Sequence, residues 1–282
     1  MKGFTDGEME RCAESGDGYR FGDLVIYPLT VRDYGAFYAC MPSLTLRLSM
    51  IPAVYAVRPF AEAIFAMAMS PELREAESEL SSCFARFVHL LALSARVPVE
   101  TFQYHVDAND HTKLKAIVVK QETDGGEDLI RLETGQLGQI RRIIAELNGK
   151  ELPDEADNAE LVEAEADIRN KGITDMNVDI SDLKASVAAY YHVRLREIND
   201  WTIYEFEKAR SAIERMTRCV ICGIGEASGM AKYEKGNPFP SLFFDRIVSS
   251  PALISASEFQ RRTNGSVEMS SGFPSELPMN IN

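Results

Sequence analysis

Leu114-Lys-Ala-Ile-Val-Val-Lys120, Glu122-Thr-Asp-Gly-Gly-Glu127 and Leu129-Ile-Arg-Leu132 together decide the fold class of this chain. The outer runs have the β-branched and apolar texture of strands, and the polar, Gly-rich middle suits a hairpin connection. Val99 to Val106 is another run of strand texture. The period then changes. From Leu137 to Asn148, Ile140, Ile143, Ile144 and Leu147 recur at three and four residues, and Gly149 follows as a helix stop. Residues 99–150 therefore predict a small β-hairpin-plus-helix unit.

Helical patterns lie on both sides of it. On the N-terminal side, Glu72 to Ala95 reads as one helix, opened by Ser70 as N-cap and Pro71 at the first helical position. Its Leu73, Leu80, Phe84, Phe87, Val88 and Leu91 recur at helical spacing. Pro59 to Met69 is a second helix. Leu24 to Tyr27 is a short strand closed by Pro28. Thr30, with Asp33 three residues on, caps a helix whose Tyr34, Phe37 and Tyr38 share a face expected in the core. Met1 to Gly22, rich in glycine and charge, is expected to be loose.

On the C-terminal side, Glu151 to Asp167 holds eight carboxylates and no basic residue. Ala159, Leu161, Val162, Ala164 and Ala166 are interleaved with them, which predicts a helix with an acidic face, either a solvated one or a docking surface for a basic partner. Asp182 to Leu195 predicts a further helix with Leu183, Val187, Tyr190, Tyr191 and Leu195 inward. Thr202 and Glu205 form a reciprocal cap for the next one. Along it Phe206, Ala209, Ile213, Met216 and Val220 alternate spacings of three and four, a seam that packs against another helix of this chain or of a second copy. Beyond Ser249 the chain is polar and Pro-rich, with little fixed structure expected.

The expected fold class is thus α+β, mainly α-helical. A flexible N-terminus (1–22) leads to a helical region with a short leading strand (23–98). The β-hairpin-plus-helix insertion (99–150), a C-terminal helical region with the acidic helix (151–249) and a flexible tail (250–282) follow.

Composition narrows the function. Of 282 residues, 45% are hydrophobic, ample for a core. The net charge of −13, with no Lys/Arg-rich run, disfavours nucleic acid and anionic membranes. The charged stretch Met1 to Arg11 does not read as a secretory signal. The most apolar region, Ile51 to Met69, is interrupted by Pro52, Arg58, Pro59 and Glu62, whereas a bilayer span needs about 20 mostly apolar residues. Five scattered cysteines give no disulfide framework. The cytoplasm is the expected location.

Few residues suggest chemistry. Cys219-Val-Ile-Cys222 has the spacing of a redox pair or half a zinc site, but no second ligand pair accompanies it and it falls late in a helical seam, so buried, inert thiols are expected. Gly223-Ile-Gly225-Glu-Ala-Ser-Gly229 has the wrong spacing for a dinucleotide loop and follows a helix, so a helix terminus and turn is expected. His89, His105, His111 and His192 form no ligand pair, and neither a G-x-S-x-G elbow nor a phosphate-binding loop is present. No catalytic residue, metal ligand or cofactor site is expected. Glu160, Glu163 and Asp167 of the acidic helix, with Trp201 and Tyr204, are the candidate partner-binding residues.

Three stretches together resemble a family of tail assembly proteins from bacteriophages of Gram-positive hosts. They are Gly22-Asp-Leu-Val-Ile-Tyr-Pro-Leu-Thr-Val-Arg-Asp-Tyr-Gly-Ala-Phe37, then Ile140-Arg-Arg-Ile-Ile-Ala-Glu-Leu-Asn-Gly-Lys150 continuing to Leu161, and Trp201-Thr-Ile-Tyr-Glu-Phe-Glu207 through Ser228-Gly-Met-Ala-Lys-Tyr233 to Asn237-Pro-Phe-Pro-Ser-Leu242. The likeness is one of pattern and spans much of residues 20–247. It implies a tail assembly chaperone: a small, acidic, largely helical protein that coats the long tape measure protein in the host cytoplasm until tail tube subunits replace it. The family has no catalytic residues to carry over. The β-rich stretch 99–133 departs from a minimal helical chaperone and leaves a structural role in the tail or baseplate open, with an enzyme using Cys219 and Cys222 as a redox pair as the third reading. Amphipathic seams and eleven methionines, soft and adaptable in contact, suit the holding of an apolar partner.

Overall fold

The stretch beginning at Leu114 builds the centre of an antiparallel sheet. In a computed structural model of the chain, the described residues are 7–76, 78–123, 126–153 and 179–232. They belong to two units, residues 1–213 and 214–282. Helix α1 (Gly7–Ser15) and the strands β1 (Tyr19–Phe21) and β2 (Leu24–Ile26) come first. The helices α2 (Tyr34–Thr45), α3 (Ala53–Ala56), α4 (Phe60–Met69), α5 (Pro71–Glu75) and α6 (Glu79–Ala95) follow. The strands β3 (Gln103–Val106), β4 (Leu114–Thr123) and β5 (Gly126–Glu133) then lead to α7 (Thr134–Leu147). After the undescribed residues 154–178 come α8 (Ile180–Tyr191), α9 (Leu195–Ile198) and α10 (Ile203–Ala227). The fold is mainly α with a small β component, as the sequence predicts.

The larger sheet has the order β3–β4–β5, antiparallel throughout. Its register runs from Ala116 opposite Glu133 to Thr123 opposite Gly126. Alternation buries Ile117, Val119, Ile130 and Leu132 on one face and leaves Lys120, Leu129 and Arg131 on the other. The buried face belongs to the same apolar cluster as α4, α6 and α7. The hairpin and its helix therefore share the core of the helices before them. The pattern did not show this because an inserted unit and a shared core need the same buried residues.

Helix α4 sits deepest. Phe60, Ala61, Ala63, Ile64, Phe65, Ala66 and Met67 are all buried, so its apolar surface extends nearly all round, as a helix enclosed by neighbours requires. Phe60 meets Phe87 edge-on at 5.5 Å, and Phe65 meets Phe84 at 4.9 Å. Burying a side chain such as Phe87 fully contributes about 2–3 kcal/mol.

Side chains stitch the elements where backbone pairing stops. The Gln121 amide donates to Val25 O at 3.0 Å and to Ala95 O at 2.8 Å, and accepts from Val25 N at 3.0 Å. It thereby gives β2 the pairing that a further strand would. Asn148 donates to Ile144 O and accepts from Leu29 N at 2.9 Å. The buried Arg141 guanidinium donates to Leu44 O through Nε at 2.8 Å and to Leu46 O at 2.6 Å, closing the C-terminus of α2 while stacking over Phe60 at 4.0 Å.

Other expectations change. Residues 7–15 and 19–21 are helix and strand, with Met9, Cys12 and Ala13 buried, so a loose N-terminus at 1–22 is corrected for the described residues. The helix expected from Glu72 to Ala95 is two helices, because Ser78 caps a new start by accepting from Leu80 N. Ser70 and Pro71 open the first as expected. Thr30 does not cap through its oxygen. Its hydroxyl donates to Asp33 Oδ2 at 3.0 Å, and a short 3-10 turn, Val31–Asp33, precedes α2. Tyr190, Tyr191 and Leu195, expected inward, are exposed, because the chain breaks at His192 (φ 55) and only Val187 and Ala188 of α8 are buried. Most of the acidic stretch, with Glu160, Glu163 and Asp167, and the tail 250–282 lie outside the described residues.

Candidate protein-interaction surfaces

Ionisable side chains gather around Glu207 on the first turns of α10. The Thr202–Glu205 cap fixes where that helix starts: Thr202 N donates to Glu205 Oε2 at 2.9 Å, and Glu205 N to Thr202 Oγ1 at 3.1 Å. Glu207 is 3% exposed. Its Oε1 accepts from the Tyr34 hydroxyl at 2.9 Å, the Tyr38 hydroxyl at 2.5 Å and Lys150 Nζ at 3.5 Å. Its Oε2 accepts from Arg210 Nε at 3.0 Å and Nη2 at 2.8 Å. Lys150 also donates to the Tyr38 hydroxyl at 2.6 Å.

Burial alone raises the Glu207 carboxyl pKa, but the Tyr38 hydrogen bond and the Lys150 and Arg210 charges outweigh it and hold the group below its ordinary range. Burial, partly offset by the bond with Tyr38, pushes the Tyr34 phenol up to about 12. Burial and then the bond to Glu207 raise Tyr38 as well. Both carboxylate oxygens are occupied, so the cluster works as a clamp joining α10 to α2 and to the chain after α7. Sequence reading missed it. The available signal was two tyrosines four residues apart on α2 and the Glu207–Arg210 pair three apart on α10.

Trp201 is half-buried at the edge of a second cluster built on Val187, Ile198 and Phe206. Its ring meets Tyr191 edge-on at 5.8 Å, and Tyr191 meets Tyr190 at 5.4 Å. The two tyrosines are each 41% exposed, as is half of Leu195. Aromatic rings held rigid and partly wet are typical of contact surfaces. Tyr204, expected among the partner-binding residues, is 3% exposed within the main core, which removes it from that role. As the second residue of α10 it points inward beside Ile203.

The far half of α10 is exposed. Phe206 and Ala209 are buried and Ile213 and Met216 half-buried, but Val220 is 54% exposed and Ile221 and Ile224 63% each. Val220, Ile221 and Ile224 lie within about 100° of the helix circumference, forming one stripe. Cys219 and Cys222 are free thiols and half-buried, not buried as expected, because this part of the helix is only partly covered. Gly223 and Gly225 continue the helix, and Gly229 (φ 73) turns the chain after it.

His105 lies 3.4 Å from Arg131 Nη1, and His192 ends α8. Among the described residues, no three His, Cys, Asp or Glu side chains gather to hold a metal, and no helix is long and apolar enough to cross a membrane. No protein-family model, curated protein or solved structure matches the chain.

Proposed function

We propose that this chain binds another protein through exposed apolar helix surface and takes no catalytic part, acting as a tail assembly chaperone for a phage tape measure protein in the host cytoplasm. The observation that carries the reading is the exposed Val220–Ile221–Ile224 stripe on α10. A stripe of that width suits an amphipathic helix laid along it. The net charge of −13 would keep such a complex in solution. The Tyr190–Tyr191–Trp201 ladder offers a second contact of the same type.

The test is co-expression with a tape measure protein. A soluble complex that co-purifies is expected, and Ile221→Ser with Ile224→Ser should abolish it. If the two proteins neither co-purify nor raise each other's solubility, the reading fails. The three-stranded sheet favours a second reading, a structural protein of the tail or baseplate. Mass spectrometry of finished particles separates the two, because a chaperone is absent from them. A Cys219/Cys222 redox pair requires fast thiol labelling in the native state, and slow labelling of both removes it.

A further inference from the structure

The turn that ends α7 holds an asparagine directly before a glycine, Asn148-Gly149. In such a pair the chain readily attacks itself, because glycine has no side chain to crowd the nitrogen that follows the asparagine. The Gly149 nitrogen bonds to Cγ of Asn148, the Cγ–Nδ2 bond breaks, and Nδ2 leaves as ammonia with the Gly149 amide proton. Water then opens the resulting succinimide on either side of its nitrogen. One opening leaves aspartate, the other isoaspartate, whose main chain runs through the side-chain methylene.

The fold holds the reacting atoms apart. Asn148 is 0% exposed, and its ψ of 16° keeps the Gly149 nitrogen on the far side of Cα from Cγ. Its amide donates through Nδ2 to Ile144 O at 2.7 Å and accepts at Oδ1 from Leu29 N at 2.9 Å. Gly149 N, with φ at 68°, donates to Glu146 O at 2.9 Å, and Lys150 N donates to Ala145 O at 2.8 Å. Ring closure needs ψ to turn and these bonds to part, so only an opened turn reacts.

Neither product closes the turn as before. A carboxylate at 148 has no donor for Ile144 O and places a charge where the asparagine is fully buried. Isoaspartate adds a methylene to the main chain just ahead of Lys150, whose Nζ reaches the Tyr38 hydroxyl at 2.6 Å and Glu207 at 3.5 Å. We propose that Asn148–Gly149 is a conformation-gated deamidation site. Through it, opening of the end of α7 becomes an irreversible loosening of its ties to Leu29 and to the Glu207 clamp.

The purified chain alone provides the test, so partner binding does not enter the result. It is aged at mildly alkaline pH, folded and in urea, and peptides spanning Asn148 and the other Asn-Gly pair, Asn264-Gly265, are mapped by mass spectrometry. In urea both pairs should convert at similar rates, and Asn148 should convert at least about tenfold more slowly in the folded chain. Lys150→Ala removes the tie to Tyr38 and Glu207 but keeps the backbone, and should speed conversion of Asn148 in the folded chain. Asn148→Asp, which makes one product directly, should unfold at lower urea concentration than wild type. No conversion of Asn148 in urea, equal rates folded and unfolded, no acceleration in Lys150→Ala, or an unchanged midpoint in Asn148→Asp would overturn the proposal.

Discussion

The first eleven residues of α10 and the rest of that helix carry the same alternation of apolar spacings, yet they are held very differently. In the first part Phe206 is fully buried, its ring set edge-on to Tyr34 at 5.7 Å, and Glu207 beside it is clamped from α2 and Lys150. In the second, Val220, Ile221 and Ile224 remain more than half exposed. Period fixes which side of a helix is apolar. Whether that side is used for folding or left for binding depends on neighbours that arrive from distant sequence.

That contrast can be broken most forcefully at Phe206. Phe206→Ala should cost about 3–5 kcal/mol of stability, read from the denaturant midpoint. A loss near zero would mean that the first part of the helix is no better anchored than the second. Glu207→Gln should cost about 2 kcal/mol, because it strips a buried carboxylate from Lys150 and Arg210, both themselves partly exposed.

The same residue sets a pH dependence. A carboxyl whose folded pKa lies below its unfolded value stabilises above the ordinary carboxylate range, and that contribution is lost as pH falls through the folded value. Glu207→Gln should therefore flatten the acid side of the stability curve, measured by thermal unfolding across pH. Tyr38→Phe removes one hydroxyl from the clamp but leaves Tyr34 in place, and should cost about 1 kcal/mol. Smallest of all, Ile224→Ser should change stability by less than about 0.5 kcal/mol while weakening capture of a helical partner. A large destabilisation there would show that the stripe serves folding after all.

Local signals carried much of the architecture. The hairpin, α7 with its buried Ile140, Ile143, Ile144 and Leu147, the Ser70-Pro71 start and the Thr202–Glu205 cap all depend on residues within a few positions of one another. What failed to show was set at long range. The break before α6 is a competition between two serine caps inside one continuous apolar pattern, and period alone does not choose between them. Tyr204 reads as surface aromatic or core with equal ease until the cluster around it is known. The Glu207 clamp joins residues separated by 57 to 173 positions, and no spacing rule links those.

Arg141 makes the completion of one helix depend on another far along the chain. The terminal carbonyls of α2 are received by a guanidinium 97 residues further along the chain. Without α7 the end of α2 would lack this donor. Closing so long a loop carries an entropic penalty, which the packing of α7 against α4, α1, α6 and the sheet offsets. The end of α2 is thus completed from α7, and a chain truncated before Arg141 leaves those carbonyls to water.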